Sequence, residues 1–392
     1  MTTNRSIGFI AAALMAAGTT TALCCREALA RGPAQGPAQG EPAASASTDA
    51  PPRPLQVLAD ARPWLTGPAP SLRGKVVVVN FWTYSCINSL RALPYLRAWE
   101  ARYGDKGLAV IGVHAPEFDF EHDPAKVRAA TQALGVAYPN LQDNAFAAWR
   151  AFGNEGWPGF FFIDAHGRLR GYTVGEGNYA EAERLIRKLL DEAGHDTSRL
   201  PIAPVEATGV EAQADWASLR SPEAYIGYAK AQGMASPGGL ARDASKTYAP
   251  ASLLPLNRWD LAGSWRVSRE FARLDKAGGA IGFHFHARDA HAVLGAPADG
   301  QPVRFRVTID GKAPGADHGT DTDAAGWGEL RQDRLYQLVR QHGTRHRSHC
   351  AHRVLAPRRA SLFLHFRMIR KAPATRPQFR RSPSRKRKPS YR

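Results

Sequence analysis

The chain has 392 residues, 44% of them hydrophobic and 22% charged, which is enough apolar content to bury at least one full core and too much for a disordered chain. Its formal net charge of +17 points to a nucleic-acid binder, yet residues 343–392 hold 16 Lys and Arg and no Asp or Glu. The other 36 basic residues face 35 acidic ones, so the body has no basic field for phosphate, and nucleic acid is set aside as a partner.

Residues 1–30 read as a cleaved secretory signal. Arg5 gives the basic start, an apolar stretch runs from Ile7 to Ala17 and on to Leu23, and Ala28-Leu-Ala30 supplies the small-residue cleavage site. The expected location is periplasmic or otherwise extracytoplasmic. Cys24 and Cys25 leave with the signal, and the two cysteines that remain, Cys86 and Cys350, are too few for a disulfide framework. Residues 31–54, rich in Gly, Pro, Ala and Gln, form a flexible linker.

A first domain spans 55–196, where strands alternate with helices. The apolar run over 75–81 predicts a strand buried on both faces, and 108–114 predicts a second. Between them a helix is expected over 87–103, with Pro94 inside it. Asp123-Pro124 supplies an N-cap and a first-turn proline for a helix stopping near Gly135, and a further helix covers 145–152. Residues 160–164 and 168–174 predict a hairpin, and Asn178 with Glu181 resembles a capping box opening a helix that ends at Gly194. The expected fold is a mixed, mostly parallel central sheet flanked by helices.

The texture changes over 205–342. Short, partly alternating segments at 259–267, 280–286, 303–309 and 335–339 predict an all-β sandwich or jelly roll. Residues 343–392 read as a basic tail without order. No closing strand is evident there, which suggests the product of a reading-frame shift near position 341; a basic tail for an anionic surface is the alternative.

The chemistry centres on Cys86, a few residues after a buried strand and at the start of a helix. A helix N-terminus presents unpaired N–H groups and partial positive charge, which favour thiolate over thiol. Trp157-Pro158 precedes a strand, where a cis proline is expected. Together with Phe81-Trp-Thr-Tyr-Ser-Cys-Ile-Asn-Ser89 and Gly112-Val-His-Ala-Pro-Glu117, these features resemble the thioredoxin superfamily. More narrowly, residues 55–195 are similar to the extracytoplasmic redoxin domain of DipZ-type and TlpA-type proteins. The segment from Ser221-Pro-Glu-Ala-Tyr-Ile-Gly227 is similar to the carbohydrate-binding-like sandwich that accompanies it.

The resemblance implies thiol–disulfide exchange, with Cys86 as nucleophile and Pro158 presenting the substrate strand. Trp82, Thr83, Trp157 and Glu117 are the supporting residues. The resolving cysteine of the family falls at Ser89 here, so a mixed disulfide at Cys86 has no internal thiol to clear it and the exchange is expected to be monothiol. Asn80 stands where the family carries a buried acid, and Glu117 is the candidate substitute. Thr83 and Cys86 also have the Thr-x-x-Cys spacing of a peroxiredoxin, which makes a one-cysteine peroxidase the alternative enzyme. A non-catalytic binding module is the alternative outside enzymes. The implied partners are a disulfide-containing protein or a glutathione-like thiol, a membrane electron donor, and a carbohydrate at the sandwich. No cofactor and no metal are implied, and His284, His286 and His291 are taken as ordinary strand histidines.

Overall fold

The computed structural model describes residues 54–61, 63–202, 205–297 and 299–343, together with strands at 347–352, 361–362 and 365–366 whose backbone alone is described. The expected signal and all of the expected linker but Pro54, which begins a helix, lie outside the described residues. Among the described residues no helix is long and apolar enough to cross a membrane.

The first domain opens with helix α1 (Pro54–Asp60) and strand β1 (Trp64–Thr66). Then follow β2 (Val76–Trp82), α2 (Ile87–Tyr103), β3 (Leu108–His114) and α3 (Pro124–Ala133). The remaining elements are β4 (Asn140–Gln142), α4 (Ala147–Phe152), β5 (Gly159–Ile163), β6 (Leu169–Val174) and α5 (Tyr179–Glu192). The six strands lie in the order β1-β4-β3-β2-β5-β6. The β2–β3 and β3–β4 pairings are parallel, and β1–β4, β2–β5 and β5–β6 are antiparallel. The sheet is therefore mixed but not mostly parallel. Strand alternation with helices cannot reveal that β5 returns beside β2 in the opposite sense.

The apolar run of β2 follows from its place in the sheet. Every residue from Val76 to Trp82 is buried. Val76, Val78 and Trp82 pack into the core that holds α2 and α5, while Val77, Val79 and Phe81 pack on the other face against Leu58, Ala148 and Phe152. With both faces covered, neither side of the strand can carry a solvated residue. Asp123 caps α3 by accepting from the Ala125 N–H at 2.8 Å. Asn178, by contrast, sits in the left-handed region at φ 55°, and its side chain makes no capping hydrogen bond, so the capping-box expectation fails there. Asparagine tolerates that backbone better than most residues, which explains its presence without a cap.

Beyond residue 205 the described strands pair antiparallel: β7 (Ala224–Tyr225), β8 (Ser245–Tyr248), β9 (Trp259–Val267), β10 (Ala272–Leu274) and β11 (Ala280–His286), followed by β12 (Asp289–Leu294), β13 (Val303–Arg306), β14 (Trp327–Leu330) and β15 (Arg334–Arg340). Trp259, Trp265, Phe283, Phe285 and Phe305 fill their common core. The C-terminal stretch is not free of strands. β16 (Arg347–His352) pairs with β11, β17 (Ser361–Leu362) with β10, and β18 (His365–Phe366) with both β12 and β7. The missing closing strand is thus supplied from within the expected tail. Its basic, weakly alternating sequence hides it, because sheet edges recruit partners through backbone groups rather than side-chain pattern.

Candidate active site

The C-terminal end of β2 delivers Trp82 opposite His114 of the parallel strand β3, and the loop 83–85 then turns into α2. Cys86 is the N-cap of α2, in extended geometry at φ −92° and ψ 112°, with its carbonyl accepting the Leu90 N–H at 3.0 Å. It has no solvent exposure. The first-turn N–H groups of a long helix favour the thiolate at this position.

The antiparallel register of β2 and β5 sets Phe81 opposite Gly159, so the preceding residues of β5 lie beside the cysteine loop. The Trp157–Pro158 peptide is cis, and the Trp157 carbonyl oxygen lies 4.0 Å from Cys86 Sγ. Trp157 is held in place by its indole N–H, which donates to the Ala115 carbonyl at 3.0 Å, and by its ring against Trp149 at 4.7 Å between centroids. An incoming disulfide reaches Sγ only after covering atoms move, because the thiol is buried.

Ser89 is fully buried, and its Oγ accepts the Thr83 N–H at 3.4 Å, which ties the first turn of α2 to the loop before it. Thr83 Oγ1 donates to Glu121 Oε1 and lies 3.3 Å from His114 Nε2. Its one proton is thus committed to a buried carboxylate. Trp82 is buried, and its indole N–H donates to Asn140 Oδ1 at 2.9 Å. Asn80, also buried, donates to the Gly159 carbonyl at 3.2 Å.

The acid that serves this loop is Glu121, which sequence reasoning missed. A single 3-10 turn over Asp119–His122 folds it inward, where it is fully buried. It accepts from the hydroxyls of Thr83 and Ser85 (2.6 Å for Ser85), from the Ser85 N–H at 3.2 Å, and from the Glu117 and Phe118 N–H groups at 2.6 and 3.0 Å. Burial raises its carboxyl above the ordinary value, against the lowering effect of the Ser85 and Thr83 hydrogen bonds. Glu117, expected to be the substitute acid, is half-buried and instead accepts the Tyr225 hydroxyl of β7 at 3.2 Å. The two carboxylates stand four residues apart after β3; spacing shows both but not which one turns inward. His114 is buried, and burial lowers its pKa to about 3, so it is a neutral imidazole stacked on Tyr84.

Cys350 lies in β16, where its backbone pairs with Phe283, rather than in a free tail. Among the described residues no group of three or more His, Cys, Asp or Glu is placed to hold a metal ion. His284 Nδ1 lies 2.9 Å from the Leu254 carbonyl, and His291 is buried beside Gln337.

Residues 66–186 match the Redoxin family model, and residues 221–357 match the model described as a thioredoxin-like C-terminal domain. The chain carries a redoxin domain followed by a thioredoxin-like C-terminal domain. The second match runs fifteen residues past position 342, into the stretch that supplies β16. Protein DipZ of Mycobacterium bovis is 37% identical over 244 residues, which cover 61% of this chain and 34% of that protein. The chain thus spans about a third of the length of that relative. The thiol-disulfide oxidoreductase YkuV of Bacillus subtilis is 27% identical over 143 residues, 36% of this chain and 96% of that protein. A solved thiol-disulfide isomerase from Corynebacterium glutamicum matches at 23% identity with a TM-score of 0.31, covering 33% of this chain and 92% of its own. The redoxin domain is of the kind that thiol–disulfide oxidoreductases are built on.

Proposed function

We propose that the protein is an exported monothiol exchange enzyme whose nucleophile is Cys86. The observation that carries this reading is the junction of Cys86, as N-cap of α2, with the cis Trp157–Pro158 turn, whose carbonyl lies 4.0 Å from Sγ. In the first step the Cys86 thiolate attacks one sulfur of a substrate disulfide. A mixed disulfide forms, the substrate S–S bond breaks, and the other substrate sulfur leaves as a thiolate that takes up a proton. A second thiol, from a glutathione-like molecule or the client itself, then attacks the substrate sulfur of the mixed disulfide and releases Cys86. Ser89 cannot perform that second attack. Pro158 presents the substrate strand, Trp82 and Trp157 frame the cysteine, and Glu121 with Thr83 holds the loop. Export rests on the composition of residues 1–30, and a sugar at the C-terminal domain rests on fold analogy alone.

The test is the intact mass of the protein after mixing with glutathione disulfide, beside a Cys86→Ala control. A glutathione adduct in the wild type alone, cleared by reduced glutathione, is the expected result. The complete burial of Cys86 favours a second reading, a binding module without turnover. Absence of any adduct at neutral pH would install that reading in place of the first. Ser89→Cys sharpens the choice: it is expected to give an internal disulfide with Cys86, seen as a loss of two mass units on oxidation, and dithiol reductase activity.

A further inference from the structure

The segment 115–122 follows β3, and both halves of the thiol site hang on it. The Ala115 carbonyl accepts the Trp157 indole N–H at 3.0 Å, which fixes the cis turn beside Sγ, and the Ala115 N–H donates to the Trp82 carbonyl at 3.1 Å. Glu121 takes the hydroxyls of Thr83 and Ser85 and the Ser85 N–H on one carboxylate oxygen. Its other oxygen takes the Glu117 and Phe118 N–H groups. An apolar link runs beside this polar one. Phe118 stacks on Phe120 at 5.5 Å between centroids, and Phe120 lies 5.9 Å from the ring of Tyr84, two residues before Cys86.

The outward side of the same segment is held by the C-terminal domain. The Tyr225 hydroxyl of β7 donates to Glu117 Oε1 at 3.2 Å, and Glu270, in the turn between β9 and β10, accepts the Asp119 N–H at 3.3 Å. Both partners are themselves fixed. Lys230 Nζ sits 4.6 Å over the Tyr225 ring. Gly227 lets the 268–271 turn come close, since a Cβ there would lie 2.1 Å from the Glu270 carbonyl carbon. The Tyr228 N–H donates to the Ser268 carbonyl and the Ala229 N–H to the Arg269 carbonyl, each at 3.0 Å, which ties the two stretches together. The two carboxylates of the segment therefore serve different domains: Glu117 meets β7, and Glu121 meets the cysteine loop.

We propose that the C-terminal domain completes the thiol site, with Tyr225 and Glu270 as positioning residues that set the Cys86 loop through the Glu117–Glu121 turn. Glu117 is the shared part, because its carboxylate is held by Tyr225 and its N–H by Glu121. A displacement at Tyr225 passes to the Glu121 carboxylate and from there to the Ser85 N–H, one residue before the nucleophile. Ala115 of the same segment holds Trp157, so the spacing between Sγ and the Trp157 carbonyl depends on both domains. The use made of the positioned thiol rests on the thiol-exchange reading; the coupling does not.

The experiment uses the full chain and reads the rate of Cys86 alkylation by iodoacetamide from about pH 6 to about pH 9. Mass analysis of the Cys86 peptide keeps Cys350 out of the readout. Tyr225→Phe removes one hydroxyl. It is expected to raise the rate about threefold and to move the midpoint of the pH–rate profile to lower pH, because a loosened loop lets water reach the thiolate. Glu121→Gln is expected to raise the rate at least about tenfold, since its NH2 meets a backbone N–H whichever way the amide turns. Tyr228→Phe is the control: its hydroxyl donates to Asp243 at 2.8 Å within the C-terminal domain, and its loss is expected to leave the profile unchanged. An unchanged or slower reaction in Tyr225→Phe, or no Cys86 alkylation in any variant, overturns the proposal. An equal shift in Tyr228→Phe overturns it in favour of a general loosening of the C-terminal domain. Iodoacetamide needs no disulfide, so alkylation of the wild type without a glutathione adduct counts against the exchange reading alone.

Discussion

Strands β2 and β12 are both buried along their whole length, yet their compositions have little in common. β2 reads Val-Val-Val-Val-Asn-Phe-Trp, whereas β12 reads Asp-Ala-His-Ala-Val-Leu. The two faces of β2 are covered within one domain. β12 sends Ala290, Ala292 and Leu294 into the core of its own domain, while Val293 joins the core of the redoxin domain. On that second face Asp289 meets Arg91 of α2 at 3.6 Å, Arg288 at 2.7 Å and Arg340 at 2.7 Å, and Arg91 also pairs with Glu176 at 3.2 Å. A strand covered by its own domain can be wholly apolar. One that serves as a domain interface carries charges, and each buried charge must then bring a partner. Arg91 sits two residues after Ser89 and joins α2, the helix that Cys86 caps, to the C-terminal domain.

The largest effect expected from breaking this comparison is in the apolar core. Phe162→Ala on β5 should cost about 3–5 kcal/mol, read as a shifted urea midpoint, because Phe162 is fully buried behind β2. Arg91→Ala should follow at about 3 kcal/mol, since it leaves Glu176 without this cation and Asp289 with two of its three. It should also increase cleavage between the domains in limited proteolysis; unchanged cleavage would mean that the apolar contacts of Val293 and Leu335 hold the domains unaided.

A pH series tests the polar face directly. Burial, aided by Arg91, lowers His291 to about 3 from its ordinary 6.5. Below pH 6.5 the unfolded chain takes up a proton that the folded chain refuses until about pH 3. Stability therefore falls as pH falls through that window, by up to about 1.4 kcal/mol per pH unit for each such histidine. His114 contributes a second slope of the same sign. Burial alone would raise Asp289, but His291, Arg288 and Arg340 bring it down to about 2, so its contribution is lost only between about pH 4 and pH 2. Urea midpoints from pH 7 to pH 4 should show the decline, and His291→Gln should remove roughly half of it. The smallest change is expected from Lys126→Ala. That ion pair with Asp333 is 44% exposed on the lysine side and should be worth less than about 1 kcal/mol.

Much of the redoxin domain is legible in the sequence. The valine run of β2, the Asp123-Pro124 start of α3 and the Trp157-Pro158 turn each carry a local physical reason that needs no distant partner. The candidate site was legible only in part. Cys86 stands out by its place at a helix start, and Ser89 by what it is not. Glu121 does not, because a carboxylate in a loop is ordinary until five donors are found around it.

The sequence by itself determined where Cys86 sits and that no second thiol follows it three residues on, since both are facts of order along the chain. It also set the apolar periodicities from which the two domains are built. Only the tertiary structure decided the return of β5 antiparallel beside β2, the closure of the sandwich by strands from the basic stretch, and the inward turn of Glu121 in place of Glu117. Each of these depends on a partner far away in sequence: a backbone edge, a buried hydroxyl or a charge on another domain. Such partners leave no local pattern, because the free energy that selects them exists only once both are in place.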